Sequence, residues 1–254
     1  MKAVPFAQFD RAYLMSDLHL DDSRPALTRL FVEFLQSHAH SGYAFFLIGD
    51  IFEAWVGDDD DASLPATIAR ELRAVAERGV SVFFMHGNRD FLLGQAYARK
   101  AGMRIIPDPC VVTLGGIDTL LSHGDRYCIS DHRYQAFRHQ SRDPAWQAAL
   151  LAQPLEVRRA LAKQLRRESQ EKQEVQRVEG IPWVDVDADA VVAEMASLGM
   201  ARLIHGHTHR PAVHALALPG GRRGERIVLS DWREAEGEAM SIDRDGTFER
   251  HCLR

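Results

Sequence analysis

Cysteine is scarce in this 254-residue chain. Cys110, Cys128 and Cys252 are too few and too scattered for a disulfide framework, which excludes the small stapled secreted folds and points to a reducing compartment. Long apolar runs are missing too. No stretch approaches the ~20 residues of a membrane span, and the opening residues Met1 to Phe6 lack the apolar centre of a secretion signal. The expected location is therefore the cytosol, or at most a membrane surface. A net charge of only −5 gives no general electrostatic case for nucleic acid.

What is present suffices for one good core. With 46% hydrophobic and 26% charged residues, the chain reads as a single domain over 1–254. Short apolar runs rich in β-branched or aromatic residues at 13–15, 44–48, 80–85, 119–121, 202–204 and 227–229 predict buried strands. Segments 25–37 and 65–78 carry helical periodicity. The alternation is that of an α/β layered domain, with central sheets and covering helices.

The ends of those runs carry the chemistry. Asp17-Leu18-His19, Gly49-Asp50, Gly87-Asn88, Ser122-His123-Gly124-Asp125 and Gly206-His207-Thr208-His209 each follow a predicted strand. Open α/β sheets gather their ligands at strand C-termini, so distant segments are expected to converge at one edge of the sheet. Gly49, Gly87, Gly124 and Gly206 suit tight turns or close backbone approach to a metal or phosphate. A lone Asp after a strand is commonly a turn or capping residue, and a lone buried His is commonly just hydrogen-bonded. Seven oxygen and nitrogen ligands at five strand ends need a shared cause.

That cause is a pair of divalent ions. Two cations about 3.5–4 Å apart, bridged by one carboxylate, can activate water for in-line attack on phosphorus and neutralise the phosphoryl oxygens. A mixed carboxylate, amide and imidazole set suits a borderline metal such as manganese better than calcium or magnesium. The absence of Cys from these segments argues against a closed structural zinc site. The expected reaction class is hydrolysis of a phosphate ester or anhydride. His86 and His205 precede ligand turns and are expected to support them, whereas His38, His40, His139, His214 and His251 lie outside such contexts. The run Asp58 to Asp61 reads as a solvated loop or helix start rather than as ligands, and Asp231-Trp232, after the 227–229 strand, as structural beneath the site rather than catalytic.

These motifs, together with Glu53 in Gly49-Asp50-x-x-Glu53 and Arg89-Asp90 after Gly87-Asn88, resemble the calcineurin-like metallophosphoesterases. The resemblance implies a β-sandwich core flanked by helices. It implies one metal held by Asp17, His19, Asp50 and His209 and a second by Asp50, Asn88, His123 and His207, with Asp50 bridging. Where most members have a His after Gly-Asn, this chain has Arg89. Arginine cannot serve as a general acid near neutral pH, but its fork can hold two phosphate oxygens. A leaving group that needs no proton, such as a phosphate in a diphosphate bridge, fits that change.

The longer phrases, from Ser16 to Leu20, Gly49 to Asp59, His86 to Leu92 and Ile204 to Pro211, are similar to the UDP-2,3-diacylglucosamine diphosphatases of the lipid A pathway. That resemblance implies water attack on the α-phosphorus, giving UMP and 2,3-diacylglucosamine 1-phosphate. It implies manganese as the usual metal and a peripheral position on the cytoplasmic face of the inner membrane, with no obligate protein partner. Asp50, Asn88, Arg89 and His123 would be the catalytic group. Asn88, Arg89, His207, Asp131 and Ser169 would meet substrate, with Gln173 and Gln176 at the later cap positions where the family often has Asn or Thr and then Lys.

A helical cap inserted at about 125–177 is expected from the residues themselves. Trp146, Leu150, Leu151, Leu155, Leu161 and Leu165 alternate with Arg158, Arg159, Lys163, Arg166 and Arg167. An apolar face could line a slot for acyl chains and a basic face could meet diphosphate or anionic head groups; an ordinary amphipathic helix on the core gives the same pattern. Two alternatives stay open. A metallophosphoesterase acting on another nucleotide diphosphate, a phosphodiester or nucleic acid would keep the same ligands, and nucleic acid would call for a basic groove or stacking platform. A non-enzymatic scaffold would be expected to have lost ligands, and none is missing.

Overall fold

The computed structural model describes residues 9–179 and 184–254, apart from the side chains of residues 170, 172–174, 176 and 177. All six expected strands are present. β1 (Arg11–Met15), β2 (Tyr43–Ile48), β3 (Ser81–Met85) and β4 (Met103–Ile106) run parallel, and β10 (Gly237–Asp243) and β11 (Phe248–Leu253) extend the sheet antiparallel beyond β1. A second sheet has the order β5 (Cys110–Leu114), β6 (Ile117–Ser122), β7 (Arg202–His205), β9 (Arg222–Val228), β8 (Ala212–Leu218). Its β6, β7 and β9 are parallel to one another.

The two sheets face each other across an apolar layer that includes Leu14, Phe46, Phe83, Met85, Ile204, Ile227 and Met240. Phe46 and Phe83 stack with ring centroids 4.8 Å apart, and Phe9 packs edge-on against both. The outer face of the first sheet is covered by α1 (Pro25–His38), α2 (Ser63–Glu77) and α3 (Gln95–Ala101), the first two within a residue or two of the sequence expectation. On the outer face of the second sheet, α7 (Ala188–Leu198) buries Val191 and Met195 against Leu120 and Leu203. The architecture is a four-layered helix, sheet, sheet, helix sandwich.

Between β6 and α7 the chain forms α4 (His132–Ser141), α5 (Pro144–Leu151) and α6 (Leu155–Glu179). Arginines of α6 fasten this helical segment to the core. Arg158, buried, donates to Asp59 Oδ1 at 2.7 Å and to the Val56 carbonyl at 2.6 Å. Arg159 pairs with Asp60 and Asp61, and Arg166 with Asp21 at 3.0 Å. The acidic run is a loop just ahead of α2, as expected, and its carboxylates also take partners. Asp58 takes the Gly94 and Tyr97 backbone N–H groups at the start of α3, and the next three acids receive the α6 arginines. None of the four joins a candidate metal group among the described residues.

Since Phe46 is fully buried between the sheets, Phe46→Ala should destabilise the protein by about 3–5 kcal/mol. The shift in urea unfolding midpoint, at unchanged slope, measures it.

Candidate active site

β1, β2, β3, β6 and β7 all end at the same side of the sandwich, and Asp17, Asp50, Asn88, His123 and His207 lie two or three residues past those ends or directly after them. The site is not at the edge of one sheet, as the strand pattern suggested. It straddles both sheets, three strand ends coming from the first and two from the second.

Five of the seven candidate ligands, Asp17, His19, Asp50, His207 and His209, have positive φ, between 48° and 67°. Asp, Asn and His tolerate the left-handed region best among residues with a side chain, yet each such residue still costs about 1–3 kcal/mol unless its surroundings enforce it. They are enforced. Asp90, fully buried, accepts N–H groups from Gly87 at 2.8 Å and Ile51 at 2.8 Å, tying the Asp50 turn to the Asn88 turn. Asp17 Oδ2 accepts the His207 N–H at 2.8 Å and lies 2.6 Å from Ser16 Oγ. The turns approach so closely that a Cβ on Gly87 would lie 2.1 Å from Asp50 Oδ1, and one on Gly206 would lie 1.9 Å from Ser16 Oγ. Gly49, at φ 81°, is required on both grounds: its Cβ would strike His123 Nδ1 at 2.5 Å.

The side chains converge as two overlapping groups, Asp17 with His19 and His209, and Asp17 with Asp50 and His123, each with donor atoms within 4.8 Å of one another. His209 Nε2 stands 3.3 Å from Asp17 Oδ1, His19 Nε2 is 4.0 Å from Asp50 Oδ2, and His123 Nε2 is 3.7 Å from Asp50 Oδ1. Asn88 Oδ1 lies between His123 Nε2 at 3.0 Å and His207 Nδ1 at 2.9 Å. His19 Nε2 is buried with no hydrogen-bond partner, and neither His19 Nδ1, although Glu53 is near, nor Asp17 Oδ1, although His209 is near, makes a well-formed hydrogen bond.

Charge completes the picture. Burial works against a charged His209, but the Asp17 and Asp231 carboxylates outweigh it and push its pKa up to about 10. Burial likewise opposes a charged His123, and Asp50 and Asp17 push it up to about 9. His207, buried and beside His123, is pushed down to about 4. Asp17 is held well below the usual carboxylate range by these imidazoles despite its burial. Left to itself, the cluster draws protons into its centre to balance buried carboxylates. Orphaned donor atoms, a mixed carboxylate, amide and imidazole set, and that demand for positive charge all fit divalent cations.

The family model for calcineurin-like phosphoesterases matches residues 11–211, which takes in every one of these ligands. The chain belongs to the calcineurin-like phosphoesterases. Among curated relatives, the UDP-2,3-diacylglucosamine hydrolase of Xanthomonas axonopodis pv. citri is 50% identical over 238 residues, covering 91% of this chain and 95% of its own. Its namesake from Cellvibrio japonicus is 52% identical over 218 residues, covering 86% and 89%. That of Xanthomonas campestris pv. campestris strain B100 is 49% identical over 236 residues. The protein is thus a metal-dependent hydrolase of this phosphoesterase family.

Above the metal-ligand cluster lies a cavity of about 800 Å³, with His19, Asp50, Asn88 and His209 at one end and α4, α5 and α6 forming its roof. Arg89 lines it, its backbone N–H donating to Asp50 Oδ1 at 2.8 Å and its Nη2 to Ser169 Oγ at 3.1 Å. Arg89 Nε is buried without a partner, a guanidinium N–H free to meet an anion. Asp131 also lines the cavity, and its carboxylate caps α4 by accepting the Tyr134 N–H at 3.1 Å. The side chains of Gln173 and Gln176 lie outside the described residues.

His86 and His205 lie against the backbone of the ligand-bearing loops rather than against the ligand side chains. His86 Nε2 is 2.7 Å from the Leu93 carbonyl, and buried His205 lies against Arg226 and the Gly206 carbonyl. Supports the sequence reading did not single out include Asp90, Ser16 and Tyr134, whose ring stacks on His207 at 5.9 Å. The spacing of Asp90, within the same short turn as Asn88, was a usable signal for the first. Asp231, expected to be structural beneath the site, stands there with Oδ2 3.3 Å from His209 Nδ1, and Trp232 is buried beside it against Phe31.

Two imidazoles raised well above their ordinary 6.5 have measurable consequences. Their stabilisation of the chelator-stripped fold is fully present below about pH 6.5 and fades as pH rises through 9 and 10. A divalent ion entering the cluster must displace those protons, so its apparent affinity should rise from pH 6 to pH 9. Calorimetric titration in buffers of different ionisation enthalpy should show net proton release near neutrality. Gly87→Ala should abolish retention of divalent metal, read by metal analysis after gel filtration.

Proposed function

We propose that the protein hydrolyses the diphosphate of UDP-2,3-diacylglucosamine by water attack on the α-phosphorus, releasing UMP and 2,3-diacylglucosamine 1-phosphate. The observation that carries this reading is the two-ended cavity. Its floor is the ligand cluster with Arg89, and its roof offers Phe137, Trp146, Leu150, Leu161 and Leu165. A substrate with a charged diphosphate and long acyl chains matches such a slot, and the names of the relatives agree with it. Nucleic acid is not favoured: Phe91, Phe137 and Trp146 pack on one another, with ring centroids 6.1–6.4 Å apart, and form no open stacking platform.

In this reading Asp17, His19, Asp50 and His209 hold one divalent ion and Asp50, Asn88, His123 and His207 the other, manganese being the metal that the donor mix suits. Such ions supply Lewis acidity, lowering the pKa of a water and neutralising phosphoryl oxygens. Arg89 binds the phosphoryl oxygens through the guanidinium face left by its bond to Ser169. A departing phosphate needs no proton, so the site works without the general acid that arginine cannot be. Asp131 and Ser169 orient the glucosamine. The segment at about 125–177 acts as a cap on a single domain, and the acyl chains enter from the cytoplasmic face of the inner membrane, where the protein associates peripherally. Among the described residues no helix is long and apolar enough to cross a membrane.

The test is UMP release from UDP-2,3-diacylglucosamine by chelator-stripped protein with and without manganese. Manganese-dependent turnover is expected. Its absence, alongside hydrolysis of a generic phosphodiester, would overturn the lipid substrate while keeping the phosphoesterase. Asp50→Asn should lose bound metal and rate together, whereas Arg89→Ala should keep metal and lower kcat by roughly 100-fold. Hydrolysis in oxygen-18 water, with the label in UMP, tests attack at the α-phosphorus.

A further inference from the structure

The two metal pockets differ in what stands behind their imidazoles. Resting on the ligand assignment above, we infer that Glu53 and Asp231 are positioning residues that make the Asp17, His19, His209 pocket the tighter one, so that the two ions load in sequence.

His19 turns Nε2 toward Asp17 and Asp50, at 3.9 and 4.0 Å, and its Nδ1 toward Glu53 Oε2 at 3.1 Å. His209 repeats the arrangement, with Nε2 3.3 Å from Asp17 Oδ1 and Nδ1 3.3 Å from Asp231 Oδ2. Each supporting carboxylate is itself fixed. Glu53 is buried and receives Arg24 at 3.0 Å and Arg166 at 3.1 Å, and Asp231 is paired with Arg233. Across the site, His123 Nδ1 meets the neutral Ile48 carbonyl at 3.0 Å and His207 turns its Nδ1 inward to Asn88, while the buried carboxylate near both rings, Asp125, is bonded instead to Tyr134 and Arg138.

A carbonyl and a carboxylate both orient an imidazole, but the carboxylate also raises its basicity as a ligand. The arginines temper that charge while fixing its direction. The ligands differ in the same sense: the first pocket has Asp17 and Asp50 as anions, whereas the second shares Asp50 and adds the neutral Asn88. Direct ligands and the groups behind them therefore favour the same pocket. Glu53 follows β2 and Asp231 follows β9, so the effect is built from both sheets.

The full-length, chelator-stripped protein is titrated with manganese chloride, free ion being followed by its electron paramagnetic resonance signal and heat by calorimetry. Two steps of unequal affinity are expected. E53Q and D231N should each weaken the tighter step by on the order of 10–100-fold and leave the looser step in place. H207A should lose the looser step and keep the tighter. Equal affinities, or E53Q and D231N weakening the looser step or neither, would overturn the inference while leaving the two-metal reading intact. Failure to bind any manganese would overturn both. The two substitutions lie on separate turns, so misfolding of one, seen by thermal melting, leaves the other as the test.

Discussion

Two carboxylates, Asp17 and Asp50, are buried side by side among imidazoles, with almost no water to share their charge. An uncompensated buried anion costs several kcal/mol, and much of the surrounding structure answers that constraint. The turns that carry the ligands are left-handed, crowded to glycine-only spacing, and tied together by further buried carboxylates such as Asp90. Positive charge in the centre makes this arrangement stable, whether it arrives as protons on His123 and His209 or as divalent ions. The fold invests backbone strain in holding together a pocket whose buried negative charge cations balance.

Core and helical segment divide the work. The sandwich sets the positions of the ligands, since each follows a strand locked in register by its neighbours. The α4 to α6 segment contributes shape and polarity, placing apolar side chains over one end of the cavity and Ser169 beside Arg89 at the other. Its attachment relies on arginines meeting the acidic turn after β2 and the Asp21 and Glu53 carboxylates. Exposed pairs of this kind are individually worth little, so buried Arg158 matters most among them.

Much of this was legible in the sequence. Strand-ending ligands with adjacent glycines announce themselves locally, because a tight turn, a metal and a short apolar run each constrain residue type at a fixed position. β4, β5, β8, β10 and β11 were not read from the sequence: β4 and β5 are only four and five residues long, Ala212–Leu218 has half-exposed alternation, and β10 and the edge strand β11 mix in polar residues, so none of these last three yields a solid apolar run. The division of the ligands between two sheets was hidden as well, since strand order is a property of long-range pairing. The partners of the acidic run lie some hundred residues away on α6, and nothing in four consecutive aspartates names them. Asp231 was legible only as a structural residue beneath the site: it follows a strand as the ligands do, and no local pattern names His209 as its neighbour.

Because the ligands hang from both sheets, the distance between them is set by how the sheets rest on one another. The layer of Leu14, Phe46, Met85, Ile204 and Met240 is thus the spacer of the candidate ligand cluster. A methylene too many or too few there would change the gap between turns before it unfolded anything, and close-packed interiors transmit such changes rather than absorb them. The bite of the ligand set is, in this protein, a gauge of inter-sheet packing.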